Sequence, residues 1–319
     1  MDSTDSTIRL GVSSCLLGNS VRYDGGHKPD RYITDILGQH VSFVPVCPEV
    51  ECGLGTPRES MHLEGDPQDP RLVTTRTGVD LTDRMKNYAA ARLKELTALD
   101  LCGYIFKSKS PSSGLFRVKV YGPPGTPPKN GSGIFAKAFV TRFPRLPVEE
   151  EGRLNDAGLR ANFIERLFAM KRWREVLAGP RTPNALQEFH TRHKMLILSH
   201  SQALYRALGK KTAATTRKTS AEDFQIYEDL FMQAMALKAT PPKHINVIMH
   251  MMGYFKKQLT PDEKQELLEV LDHYRSGSLP LIVPLTLIGH YVRRYDQPYL
   301  KNQVYLNPHP LELKLRNHV

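Results

Sequence analysis

Two cysteines sit just past apolar runs of strand length: Cys15 after Arg9-Leu10-Gly11-Val12-Ser13-Ser14, and Cys47 after Val41-Ser42-Phe43-Val44-Pro45-Val46. A third such run, Gly103-Tyr104-Ile105-Phe106-Lys107, leads into the loop Lys107-Ser108-Lys109-Ser110-Pro111-Ser112-Ser113-Gly114. In an open parallel sheet, ligands bind beyond the carboxyl ends of the strands, so these three loops converge on one crevice. A separated pair of cysteines reads as structural on spacing alone; a place at strand ends favours ligation. Thiolates from separate loops suit an iron-sulfur cluster with one iron left open, and an open iron is a Lewis acid with an affinity for sulfur. Glu49 follows Cys47 by two residues and reads as a general acid/base or as a solvated loop residue. Ser110 and Ser112 orient substrate or water, or else satisfy backbone groups of a proline-containing turn.

The elements that must hold these loops alternate. A short helical run from Pro29 to Leu37 separates the first two strands, and an amphipathic helix from Leu81 to Leu96 precedes the third. This order predicts an α/β fold, a parallel-sheet Rossmann-like N-terminal domain over residues 8–150, although no G-x-G-x-x-G fingerprint supports dinucleotide binding. The segment Tyr121 to Gly131, rich in proline and glycine, reads as a loop and as a lid or wall of the crevice.

From Asn155 the pattern is helical, predicting an all-α C-terminal domain over residues 151–319. Asn155 is placed to cap a helix to about Leu177, and Thr182-Pro183 to open another ending near Gly209. Ser220 with Asp223 and Thr260 with Glu263 have the spacing of capping boxes, and Leu281 to Arg294 makes a last helix. His190, His193 and His200 share roughly one helix face without a carboxylate or cysteine at ligand spacing, so they pack between helices or meet phosphates. Met249, Met251 and Met252 read as core, and Trp173 as half-buried.

Of the 11 excess positive charges in the 319 residues, all but one fall beyond residue 159, which makes the helical half the candidate polyanion binder. Four irregularly spaced cysteines do not make a disulfide framework, and the first residues, Met1-Asp2-Ser3-Thr4-Asp5, lack the character of a secretory leader. A cytoplasmic protein with no membrane partner is expected.

The motifs Ser14-Cys15-Leu16-Leu17-Gly18, Val21-Arg22-Tyr23-Asp24-Gly25, Val46-Cys47-Pro48-Glu49, Gly55-Thr56-Pro57-Arg58 and Lys107 to Gly114, taken in order, resemble the thiouracil desulfidase family. The remainder, with His193-Lys194, His200-Ser201 and Asn307-Pro308-His309-Pro310, is similar to the helical domain fused to it in bacterial desulfidases of 4-thiouridine in tRNA. The resemblance implies a 4Fe-4S cluster held by three cysteines, whose fourth iron takes sulfur from a thiocarbonyl base before water replaces it without net redox change. By position the ligands are Cys15, Cys47 and residue 113, with Glu49, Ser112 and Ser110 catalytic and Arg22, Asp24, Arg58 and Lys107 binding substrate. Where the family has cysteine, this chain has Ser113, a hard and weakly acidic donor that reads as an inactivating replacement. Cys52 and Cys102 are the candidate substitutes, although Cys102 starts its strand and is expected at the wrong end.

The resulting expectation is a two-domain desulfidase of thiolated uracil, 4-thiouridine in tRNA foremost, impaired by Ser113. RNA is expected to contact His193, Lys194, Lys210, Lys211, Arg217 and Lys218 and to turn its thiolated base out of the stack. DNA is not expected. The rivals are a desulfidase for free thiolated bases such as thiouracil and a non-catalytic RNA-binding protein.

Overall fold

The computed structural model describes residues 8–215 and 220–317 and divides into two compact units, Met1–Asp156 and Ala157–Val319. The first unit holds β1 (Ile8–Ser13), β2 (Val41–Val46), β3 (Met61–Asp66), β4 (Asp69–Thr74), α1 (Thr82–Thr97), β5 (Gly103–Phe106), β6 (Val118–Tyr121), β7 (Lys129–Gly131), α2 (Ile134–Arg142) and β8 (Val148–Glu150). One sheet runs β2-β1-β5-β8 with every pairing parallel, as the alternating pattern requires. Every position of β1 but Arg9 is buried, and Leu10 and Val12 are fully so.

Gly11 is needed at the centre of that sheet. A Cβ there would lie 2.2 Å from Cδ2 of the fully buried Tyr104. Gly11→Ala is therefore expected to lower unfolding free energy by about 1–3 kcal/mol through overpacking, read as a lower denaturant midpoint.

A second sheet, β4-β3-β6-β7, corrects the loop expected at Tyr121 to Gly131. Val118 to Val120 pair with Lys129 to Gly131, leaving Gly122 to Pro128 between the strands to turn the chain. None of these residues lines the cavity described below, so the segment is neither lid nor wall. Before β2 the chain makes a widened turn, Tyr32–Ile36, and a tight one, Leu37–Gln39, in place of a regular helix from Pro29. The helix expected from Leu81 appears as α1, burying Met85, Ala89, Leu93 and Leu96.

The second unit holds α3 (Ala157–Ala178), α4 (Pro183–His200), α5 (Gln202–Ala213), α6 (Ala221–Ala236), α7 (Pro241–Met252), α8 (Pro261–Arg275), α9 (Ile282–Arg294) and α10 (Pro298–Lys301). Both capping boxes form, at Ser220/Asp223 and Thr260/Glu263. Asn155 belongs to a tight turn ahead of α3 and does not cap it. The helix expected to reach Gly209 breaks at Ser201, whose extended backbone and side chain, accepting from Leu204 N at 3.2 Å, start α5 anew. Trp173 is fully buried in an aromatic core with Phe189, Tyr227 and Phe231. Met251 is core, but Met249 is 41% exposed. Among the described residues no helix is long and apolar enough to cross a membrane.

Candidate active site

The neighbouring strands β2, β1 and β5 deliver their carboxyl ends to one cavity of about 430 Å³. Cys15 sits in the tight turn directly after β1, Cys47 is the first residue past β2, and Ser113 lies in the loop that follows β5; all three line the cavity. Ser13 Oγ accepts from Lys107 N at 2.8 Å and ties two strand ends together. Burial pushes the Cys15 thiol up to about 11, with Lys107 and Arg22 pulling the other way. Burial raises Cys47 as well, against backbone N–H donors of its own turn.

Glu49 faces the same cavity. Its carboxylate accepts from Ser112 Oγ at 2.8 Å, Ser110 Oγ at 3.2 Å and Arg58 Nε at 3.1 Å, and Arg58 Nη2 closes an ion pair on it. Arg58 is in turn locked by the carbonyls of Val21 and Gly55, each at 3.0 Å. Ser113 Oγ lies 3.4 Å from Ser112 Oγ, so a chain of hydroxyls runs from position 113 to Glu49. The site thus carries a fixed carboxylate and a proton path beside two thiols.

The remaining residues expected here divide. Arg22 lines the cavity, while Asp24 lies outside the lining and pairs with Arg22. Lys107 lines it, but its ammonium is held by Glu151 and Ser108. Arg58 contacts Glu49 and backbone, which makes it a positioning residue for the carboxylate.

Three carboxylates went unread in the sequence. Glu151 accepts from Ser108 N at 2.7 Å, and Glu150 from Leu115 N at 2.8 Å and Phe116 N at 3.0 Å, so the end of β8 clamps both ends of the serine loop. Glu51 accepts from Cys47 N at 2.7 Å and from the Tyr88 hydroxyl at 2.6 Å, fixing the Cys47 turn. For Glu150 and Glu151 the signal available was the run Glu149-Glu150-Glu151 directly after Leu146-Pro147-Val148.

In the helical unit, His193 is 1% exposed: Arg172 Nε donates to its Nε2 at 3.0 Å, its Nδ1 donates to the Phe189 carbonyl at 2.7 Å, and it stacks on Phe189. A ring so enclosed presents nothing to a strand, and its expected RNA contact is corrected. Lys194 is half-buried with its ammonium 4.8 Å from the Tyr299 ring, Lys210 is exposed, and Lys211 pairs with Asp223 at 2.5 Å. Arg217 and Lys218 lie outside the described residues.

Residues 10–151 match the family model described as 2-thiouracil desulfurase, and residues 194–310 match one described as a protein of unknown function, DUF1722. The chain is 33% identical to the uncharacterized protein YbgA of Escherichia coli (strain K12), over 48% of this chain and 90% of that one. It is 32% identical to the uncharacterized protein YbbK of Bacillus subtilis (strain 168), over 32% of this chain and 71% of that one. Over residues 10–151 the chain belongs to the 2-thiouracil desulfurase family. Among solved structures it is similar to the 4Fe-4S-dependent thiouracil desulfidase TudS, at 30% identity over 47% of this chain and 95% of that one, with a TM-score of 0.39.

Whether this desulfurase region fits such a cluster is decided by its donors. Cys15 and Cys47 supply two thiols, and the third corner is the hydroxyl of Ser113, 4% exposed. Among the described residues no group of three or more His, Cys, Asp or Glu side chains is arranged to hold a metal ion. Cys52 does not line the cavity and donates to the Glu49 carbonyl at 3.3 Å, while Cys102 precedes β5 at its opposite end. The donor set does not fit a three-thiolate cluster.

Proposed function

We propose that this chain is a desulfidase of thiolated uracil, with 4-thiouridine in tRNA as substrate, and that Ser113 impairs it by removing one cluster ligand. The observation that carries the reading is the meeting of Cys15, Cys47, Ser113 and Glu49 in one cavity whose volume is in the range of small-molecule sites, within a region of the 2-thiouracil desulfurase family. The reaction replaces a thiocarbonyl sulfur by the oxygen of water and releases sulfide, with no net oxidation or reduction. In the Ser113→Cys variant, Cys15, Cys47 and position 113 would hold a 4Fe-4S cluster, which would supply a Lewis-acidic iron for sulfur.

The chain's own residues supply the rest. Glu49, held by Arg58, is placed to accept and return protons through Ser112. The excess positive charge beyond residue 159, including Lys194 and Lys210, supports the tRNA part of the reading. The test is anaerobic reconstitution of the natural chain and of Ser113→Cys, followed by sulfide release from thiolated tRNA and from thiouracil. In the Ser113→Cys background, Glu49→Gln is expected to keep its iron while sulfide release falls about a hundredfold or more. Equal turnover in that variant removes Glu49 from the mechanism.

A further inference from the structure

The helical unit carries a concave strip that desulfuration does not use. It runs along α4, with α5 on one side and Tyr299 to Gln303 on the other, as two cavities of about 370 and 670 Å³ that share Gln187 and Thr191. Lys194 and Arg206 line the smaller cavity together with Tyr205, and Arg192 lines the larger, against one carboxylate, Glu188. The charge along the strip is thus net positive.

The larger cavity adds an unusual group. Gln303 is 3% exposed; its Nε2 donates to the Thr191 carbonyl at 2.8 Å, and its Oε1 finds no hydrogen-bond partner among the described residues. An acceptor left buried without a donor costs about 1–3 kcal/mol, and such a group calls for a missing partner. The bond to Thr191 holds the amide in place at the cavity's edge. A ligand filling both cavities must therefore bring negative charge to Lys194 and Arg206 and a hydrogen-bond donor to the Gln303 amide. Inorganic phosphate meets only the first demand.

We propose that this strip binds a nucleoside phosphate unit, its phosphate on Lys194 and Arg206 and its base at the amide end, where Gln303 accepts a base N–H. The unit comes either from a free nucleotide or from a strand of RNA, and the second source rests on the tRNA reading above. Arginine and lysine recognise phosphate through charge-assisted hydrogen bonds, and side-chain amides read base edges.

The experiment titrates the full chain with uridine 5′-monophosphate, with inorganic phosphate and with tRNA across a salt series. Lys194→Gln with Arg206→Gln is expected to weaken the mononucleotide about tenfold or more, since charge-assisted bonds are lost. On tRNA the same change should lower the salt slope by about 1.4, two contacts at about 0.7 each for a single strand. Gln303→Met is expected to weaken the mononucleotide about fivefold and to leave the salt slope alone, with a melting curve to show that it folds. Lys264→Gln with Arg275→Gln, an equal loss of charge on α8, is the control and should change neither.

Weakening of tRNA alone assigns the strip to a strand. Weakening of the mononucleotide alone, with tRNA unbound by the natural chain, assigns it to a free nucleotide and overturns the tRNA reading instead. Inorganic phosphate bound as tightly as the mononucleotide overturns the base contact, and with it the proposal. So does equal binding of both nucleotide ligands by the natural chain and the Lys194/Arg206 variant; if tRNA is still bound, the reading of the first site stands.

Discussion

Ser113→Cys, reconstituted anaerobically, is expected to take up about four irons and four sulfides per chain and to show strong visible absorbance, while the natural chain keeps only a small fraction of either. The difference follows from one atom. Cys15 and Cys47 are already placed on the cavity, and the loop that carries position 113 is clamped at both ends by Glu150 and Glu151, so a third sulfur arrives in a backbone that is already set. A serine hydroxyl must give up a proton far less acidic than a thiol's, and its oxygen is a hard donor toward a soft cluster. With the cluster in place, sulfide release from thiolated tRNA should appear where the natural chain gives little. Equal iron and sulfide in both proteins would make Ser113 a competent ligand and end the claim of impairment. A loaded Ser113→Cys protein that releases no sulfide from either thiolated substrate would end the desulfidase reading.

The sequence was legible where one signal decided the outcome. The apolar runs ending at Cys15 and Lys107 are parallel strands buried along nearly their whole length, a pattern with few other solutions, while the run ending at Cys47 is the edge strand, buried only at Val41 and Val46. The β3–β4 hairpin left no such mark: Glu64, Gly65, Asp66 and Pro67 interrupt its alternation, and Glu64 is instead paired across the hairpin with Arg71. The prolines between β6 and β7 hid two short strands by the same dilution. Glu150 and Glu151 escaped because carboxylates read as solvated until a loop's N–H groups are seen to need them. His193 misled for the opposite reason. It stands next to Lys194 in sequence, but one step along a helix turns a side chain by about 100°, from solvent into the core.

That burial makes the helical unit sensitive to acid, and the melting temperature followed by helical circular dichroism is expected to fall steeply between pH 6.5 and 4. Burial holds His190 down to about 4 and His244 down to about 3, where Tyr227 and Tyr305 meet their rings at 3.0 and 2.9 Å. A histidine whose folded value lies below its unfolded one stabilises the fold fully above the unfolded value of 6.5, and that stability drains away as pH falls toward the folded value. At about 1.4 kcal/mol per unit the two rings together withdraw several kcal/mol by pH 4, a large share of the 5–15 kcal/mol that holds a typical domain. Glu165 adds to this below about 4.5. Burial alone would raise its carboxyl, but the hydrogen bond from His200 at 2.8 Å and the charge of Arg316 hold it well below the ordinary range, so its contribution too is present above the unfolded value and lost as acid protonates it. Glu165→Gln should cost about 3–5 kcal/mol at pH 7, because Arg316 is then left buried without its partner. His190→Gln and His244→Gln should each flatten the acid slope even if they lower the melting temperature at pH 7. A melting temperature unchanged from pH 7 to pH 4 in the natural chain would mean that these rings take up protons without opening the fold.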